Sequence, residues 1–121
     1  CAEDEFEPND TRDQAHGLQA QQTVQGHTCG NNPDWFVLNS EALEPGQIVR
    51  AQALFSHQDG DVDIRLYRGD QMVASGTSTS DNEEVSHVVP QGDALAYSIE
   101  VYGHGGAEAP YTVMFDIENP D

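Results

Sequence analysis

The sequence predicts an all-β fold: an antiparallel, jelly-roll-like β-sandwich of about eight strands, preceded by an irregular N-terminal segment. Three observations carry this expectation. Short runs alternate apolar and polar residues, Gly, Pro, Asp and Asn cluster between the runs, and no stretch sustains a helical period of useful length. The 121 residues suffice for one core and are too few for two, so a single domain is expected, with residues 1–20 as a segment packed on a sandwich of residues 21–118.

Taken in order, residues 1–20 are polar, and only "NDTRDQAHGL" has helical character. Asp10 is suited to cap one turn running to Ala15, which Gly17 would stop. "TVQGHT" is the first strand-like run. "DWFVLNS" follows, with Trp35 and Val37 expected in the core and Phe36 and Leu38 as further candidates. "EPGQ" reads as a turn. In "IVRAQALF", Val49, Ala51, Ala53 and Phe55 oppose Ile48, Arg50, Gln52 and Leu54. In "VDIRLYR", Val62, Ile64 and Leu66 oppose Asp63, Arg65 and Tyr67. "QMVASG" and "EEVSHVV" come next, the latter stopped by Pro90. "LAYSIEVYG" places Tyr97, Ile99 and Val101 on one face, and "YTVMFDI" alternates to the end.

The charge balance excludes whole classes of partner. The formal charge is −18, lysine is absent, and Arg12, Arg50, Arg65 and Arg68 are the basic residues apart from five histidines. Such a field repels phosphates and anionic headgroups, so nucleic acid and membrane surfaces are not expected partners. Cations, cationic partners or a saline extracellular milieu suit it. High charge with low hydropathy also accompanies disorder. The regular strand pattern, with one tryptophan, four tyrosines and four phenylalanines, argues against it. Cys1 and Cys29 suggest a disulfide and an oxidising compartment. The alternative is a lipid-bearing Cys1 at the start of a mature lipoprotein, leaving Cys29 free. The chain reads as a mature or excised piece, with no apolar run long enough to span a bilayer.

Catalysis finds little support. His16, His27, His57, His87 and His104 are scattered without zinc spacing, and "SGTSTSD" lacks the surroundings of a nucleophilic serine. "EFEPND" is more suggestive, because Glu5, Glu7, Asn9 and Asp10 crowd side-chain oxygens into six residues. "GNNPDW" follows Cys29 and offers Asn31, Asn32 and Asp34. A Cys1–Cys29 bond would bring the two stretches together, and calcium takes six to eight such oxygens. A solvated acidic tail is the alternative. "DGDVDIRLYRGD" sets Asp59, Asp61, Asp63 and Asp70 at EF-hand positions, but Ile64 stands where that loop needs glycine, and strand alternation explains residues 62–67 better. Tyr67 and Tyr102 have outward parity and are candidates for a binding surface, whereas Tyr97 is expected inside.

The stretches "EPNDTRDQAHGL", "DWFVL", "GDVDIRLY" and "YSIEVYGHGGAEAPYTV", in that order over roughly residues 5–117, resemble bacterial pre-peptidase C-terminal domains, secreted β-sandwich modules appended to exported enzymes. The cysteines flanking the acidic motif look like a subtype found in exported multidomain proteins. The collagen-binding domains of secreted bacterial collagenases are similar modules that bind calcium through a Glu-x-Glu-x-Asn-Asp segment, matched by Glu5, Glu7, Asn9 and Asp10. They add an Asp-x-x-Asp, matched in its second Asp by Asp34 and replaced in its first by Asn31. A carbonyl near His27 completes that shell by the same resemblance. The resemblance implies Ca2+ as cofactor and a secreted, monomeric, non-catalytic module in one chain with a parent enzyme or adhesin, holding it to an extracellular polymer or protein. The alternative it leaves is a structural or maturation segment removed after secretion.

Overall fold

Alternate residues of eight runs turn inward to form one apolar slab, and the strands bearing them are the elements of the computed structural model. It describes residues 15–28, 33–39, 43–55, 61–76, 82–92, 95–103 and 109–119. The strands are β1 (His16–Leu18), β2 (Thr23–His27), β3 (Asp34–Leu38), β4 (Ile48–Leu54), β5 (Val62–Arg68), β6 (Gln71–Gly76), β7 (Asn82–Val88), β8 (Tyr97–Gly103) and β9 (Pro110–Glu118). They form a five-stranded sheet in the order β1-β3-β8-β5-β6 and a four-stranded sheet in the order β2-β9-β4-β7. Pairing is antiparallel except between β1 and β3, which run parallel. Among the described residues there is no helix, and so none long and apolar enough to cross a membrane.

The expected strands from "TVQGHT" to "YTVMFDI" are β2 to β9. The ninth, β1, falls within residues 1–20, expected to be a segment packed on the sandwich. Gly17 does not stop a helical turn. It lies mid-strand opposite Val37, and Leu18 is fully buried in the core. The expected Cys1–Cys29 bond, together with Glu5, Glu7, Asn9, Asp10 and Asn31, lies outside the described residues.

Phe36, Ile64, Leu66, Ile99 and Val101 from the larger sheet meet Val49, Val113 and Phe115 from the smaller one, all fully buried. At roughly 1.5–3 kcal/mol per large apolar side chain removed from water, this slab is the main source of stability. One expectation reverses. Phe36 and Leu38 face the slab, where Phe36 meets the ring of Tyr111 edge-on at 6.4 Å, whereas Trp35 packs on the opposite face against Tyr67 at 5.1 Å. "DWFVL" is apolar on both parities, so neighbours on other strands decide its register rather than its own pattern.

Turns follow local chemistry. In "EPGQ" the N–H of Gln47 reaches the carbonyl of Glu44 at 3.2 Å, with Pro45 and then Gly46 between. Gly46 has φ 93°, a left-handed position that an L side chain resists, and the pair forms a type II turn.

At the end of the sandwich where β7 stops and β8 starts, His87 Nδ1 and Tyr97 Oη form a 2.8 Å hydrogen bond. Burial and then the nearby Arg68 charge push His87 below its usual value near 6.5, while burial raises the Tyr97 phenol. A base harder to protonate in the folded state contributes fully above its unfolded pKa, and the contribution fades as pH falls through that value towards the folded one. The melting temperature is therefore expected to drop between about pH 7.5 and 5.5. His87→Gln should flatten that slope in melts at constant ionic strength, and an unchanged slope would place the titration elsewhere.

Candidate metal centre

Asp61 immediately precedes β5, Asp63 is its second residue, and Glu83 is the second residue of β7. These positions meet at one end of the sandwich, where β5 and β7 begin and β6 ends. One carboxylate oxygen from each of the three lies within 4.8 Å of the other two. Asp63 is 1% exposed and Glu83 4%, while Asp61 is half-buried. All three also engage further neighbours.

Local sequence explains how an acid comes to lie inside. On β7, Glu83 shares the inward parity of Val85, and the register sets it opposite Ala53 of β4, whose small side chain leaves room. Gly76 at the end of β6 opens the remaining space. A Cβ there would stand 2.8 Å from Glu83 Oε2 and 3.3 Å from Val85 Cγ1. Gly76 is not among the residues of positive φ, so the glycine serves close approach and not backbone conformation. Because Gly76 is paired with Ile64, the Glu83 carboxylate passes over bare backbone toward the start of β5.

The electrostatics of this cluster point to a cation. Like charges 4.8 Å apart repel by roughly 3 kcal/mol per pair at an effective dielectric near 20. The geometry suits a single ion, because opposite ligands in a calcium shell of 2.3–2.6 Å radius stand about 5 Å apart. The donors are all carboxylate oxygens, which favours a hard cation over the softer metals that prefer nitrogen or sulfur.

The structure also locates the described residues that the sequence singled out. Asp34 is 1% exposed, and Tyr111 donates a 2.6 Å hydrogen bond to its Oδ2. Register places Asp34 opposite Val101 and Val101 opposite Ile64, so Asp34 stands two strands, about 10 Å, from the Ile64 row. It shares an end of the sandwich with the triad without joining it. Residues 62–68 form a strand, as alternation requires, and not an EF-hand loop. Two of the acids weighed in that stretch, Asp61 and Asp63, nonetheless meet an acid from a distant strand. Glu83 was missed, although an acid at the inward parity of "EEVSHVV" was the available signal.

Tyr67 and Tyr102 are half-buried on the outer face of the larger sheet, and Tyr97 is buried, as their parity predicts. Tyr67 lies against Trp35, while the Arg65 guanidinium sits 4.3 Å from the Tyr102 ring centre and donates to Glu100 Oε1 at 3.0 Å. These rings are thus engaged by the chain's own side chains. Among the described residues, His16, His27 and His87 do not converge either. His16 sits edge-on to Phe36, His27 bonds the neighbouring Thr28 carbonyl, and His87 bonds Tyr97.

No protein-family model matches the sequence, and no curated protein does. Solved structures do match. The pre-peptidase C-terminal domain of a collagenase from Bacillus anthracis superposes with a TM-score of 0.64 at 16% identity, covering 84% of this chain and 94% of that one. A periplasmic inhibitor of g-type lysozyme from Aeromonas hydrophila gives 0.63 at 13% identity, covering 86% and 97%. The Yersinia pseudotuberculosis-derived mitogen gives 0.61 at 14%, covering 83% and 86%. At such identities these likenesses show the fold alone, and that fold includes the pre-peptidase C-terminal sandwich.

Tyr111→Phe removes the donor to a buried carboxylate and is expected to cost about 1–3 kcal/mol. Denaturant unfolding of the two proteins measures it, and a difference under ~0.5 kcal/mol would mean that Asp34 is satisfied without the phenol.

Proposed function

We propose that this chain is a non-catalytic, calcium-stabilised accessory module of a secreted bacterial protein that holds its parent to an extracellular polymer or protein. The observation that carries the cation is the convergence of Asp61, Asp63 and Glu83 from two sheets. The fold likeness to a collagenase's pre-peptidase C-terminal domain and the resembling motifs support the accessory role.

Three carboxylates supply up to six oxygens, which with water reach the six to eight that calcium takes. An ion held there ties β5 of one sheet to β7 of the other. It offsets repulsion that the apolar slab must otherwise overcome, so binding is coupled to folding. The set implied by resemblance, Glu5, Glu7, Asn9, Asp10, Asn31 and Asp34, offers a second site.

Calcium at 100 times its dissociation constant should add about 2.7 kcal/mol, on the order of 10 °C in melting temperature. EDTA should reverse the gain at fixed ionic strength, which separates a bound ion from general screening of the acidic surface. Glu83→Gln keeps the shape and removes one charge. It should abolish the calcium increment at the triad and, without calcium, melt no lower than the parent. Gly76→Ala should weaken calcium by displacing Glu83 from its cradle. Loss of the increment in Glu7→Ala but not in Glu83→Gln would assign the ion to the N-terminal set, and no calcium effect in the parent would overturn the calcium reading.

A further inference from the structure

Beside the same end of the sandwich, the outer face of the smaller sheet carries a groove of about 420 Å3, lined by Gln25 and His27 of β2, Leu54 of β4, Phe55, and Pro110 and Thr112 of β9. Leu54, the last residue of β4, is 48% exposed and lines this groove. The next three rows of this face each carry one acid. Glu84 pairs across from Gln52, Asp116 from Arg50, and Glu118 from Ile48. Among the described residues one guanidinium serves this field: Arg50 forms ion pairs with Glu84, at 3.1 Å, and with Glu118, and Gln52 also donates to Glu84 at 2.7 Å. The face therefore keeps a negative excess, within a chain of net charge −18 that has no lysine.

We infer that this groove docks an extended, basic polypeptide segment, which seats one apolar side chain beside Leu54 and lays lysines or arginines over Glu84 and Asp116. The inference rests on the accessory-module reading and names the chemistry of its partner. Charge complementarity selects the occupant. Anionic lipid and nucleic acid are repelled, and a neutral polysaccharide gains nothing from the field, whereas a cationic chain is steered to it. The apolar groove then fixes where on the acidic surface that chain settles, because burial of a side chain is local and long-range attraction is not. The aromatic face of the other sheet is less suited, since its rings already stack on Trp35 and under Arg65.

The test uses three short synthetic peptides, read by fluorescence anisotropy and by amide chemical shifts at fixed ionic strength: lysines and glycines around one central leucine, the same peptide with glycine for leucine, and the leucine peptide with glutamates for lysines. The first should bind and shift the amides of Gln25, His27, Leu54 and Thr112. The second should bind at least fivefold more weakly, and the third should not bind. Leu54→Gln and Glu84→Gln should each weaken the first peptide about fivefold, whereas Asp70→Asn, which removes an exposed charge from the β5–β6 turn, should change it less than twofold. Equal binding of the leucine and glycine peptides to the parent, or an equal effect of Asp70→Asn and Glu84→Gln, would overturn the site in favour of diffuse attraction. Calcium-dependent melting of the same samples keeps the two readings apart. A calcium increment with no groove shifts removes only the docking site.

Discussion

Self-repulsion is the constraint that the rest of the molecule answers. A chain of net charge −18 must close two sheets over an apolar slab, and each carboxylate brought near another opposes the closure. The fold spends its few arginines on this. Arg50 bridges Glu84 of β7 and Glu118 of β9 across β4, and Arg65 holds Glu100 on the neighbouring strand while covering Tyr102. Each bridge is partly exposed and modest alone. Together they tie strands of one sheet to each other. Neither joins one sheet to the other, and that task falls to the slab and to two hydrogen bonds that cross between the sheets, Tyr111 to Asp34 and His87 with Tyr97.

Much of this architecture is legible because a strand declares itself locally. Period-two alternation reveals β4, β5, β8 and β9 with their inward faces, since each buries one parity and solvates the other. Where both parities are apolar, as in "DWFVL", the run identifies a strand without fixing which side faces the core. Trp35, expected in the core, packs on the outer face, while Phe36, a further candidate, fills the slab. β1 is silent for a different reason. Three residues, one of them glycine, hold no period, and their conformation is imposed by a parallel partner in β3.

The acidic triad was half legible. Asp61 and Asp63 stood out only with Asp59 and Asp70 as an EF-hand pattern, which strand alternation over residues 62–67 argued against. What unites them with Glu83 is a register twenty residues away, fixed by β5–β6 pairing and by the space left at Gly76. The space at Gly76 becomes visible only once the fold sets Glu83 against it. The N-terminal set shows the converse, for it is legible as a motif and, Asp34 apart, lies outside the described residues.

The two proposed sites share a mechanical link. Asn82 directly precedes Glu83, and its Oδ1 accepts a 3.3 Å hydrogen bond from the N–H of Phe55, which lines the groove beside Leu54. An ion that holds Glu83 against Asp61 and Asp63 therefore also holds the start of β7, and with it one wall of the groove. Ordering that wall in advance lowers the entropy lost when a partner docks, so calcium should tighten the peptide. By linkage the peptide must tighten calcium by the same factor. The field acts in the opposite sense, because a divalent ion reduces the negative potential that draws a basic segment in. The two effects separate by rate. Loss of steering slows association in a salt-dependent way, while a firmer wall slows dissociation. Rates measured with and without calcium would therefore show which one governs, and Glu83→Gln should erase the dissociation effect while leaving Leu54 in place.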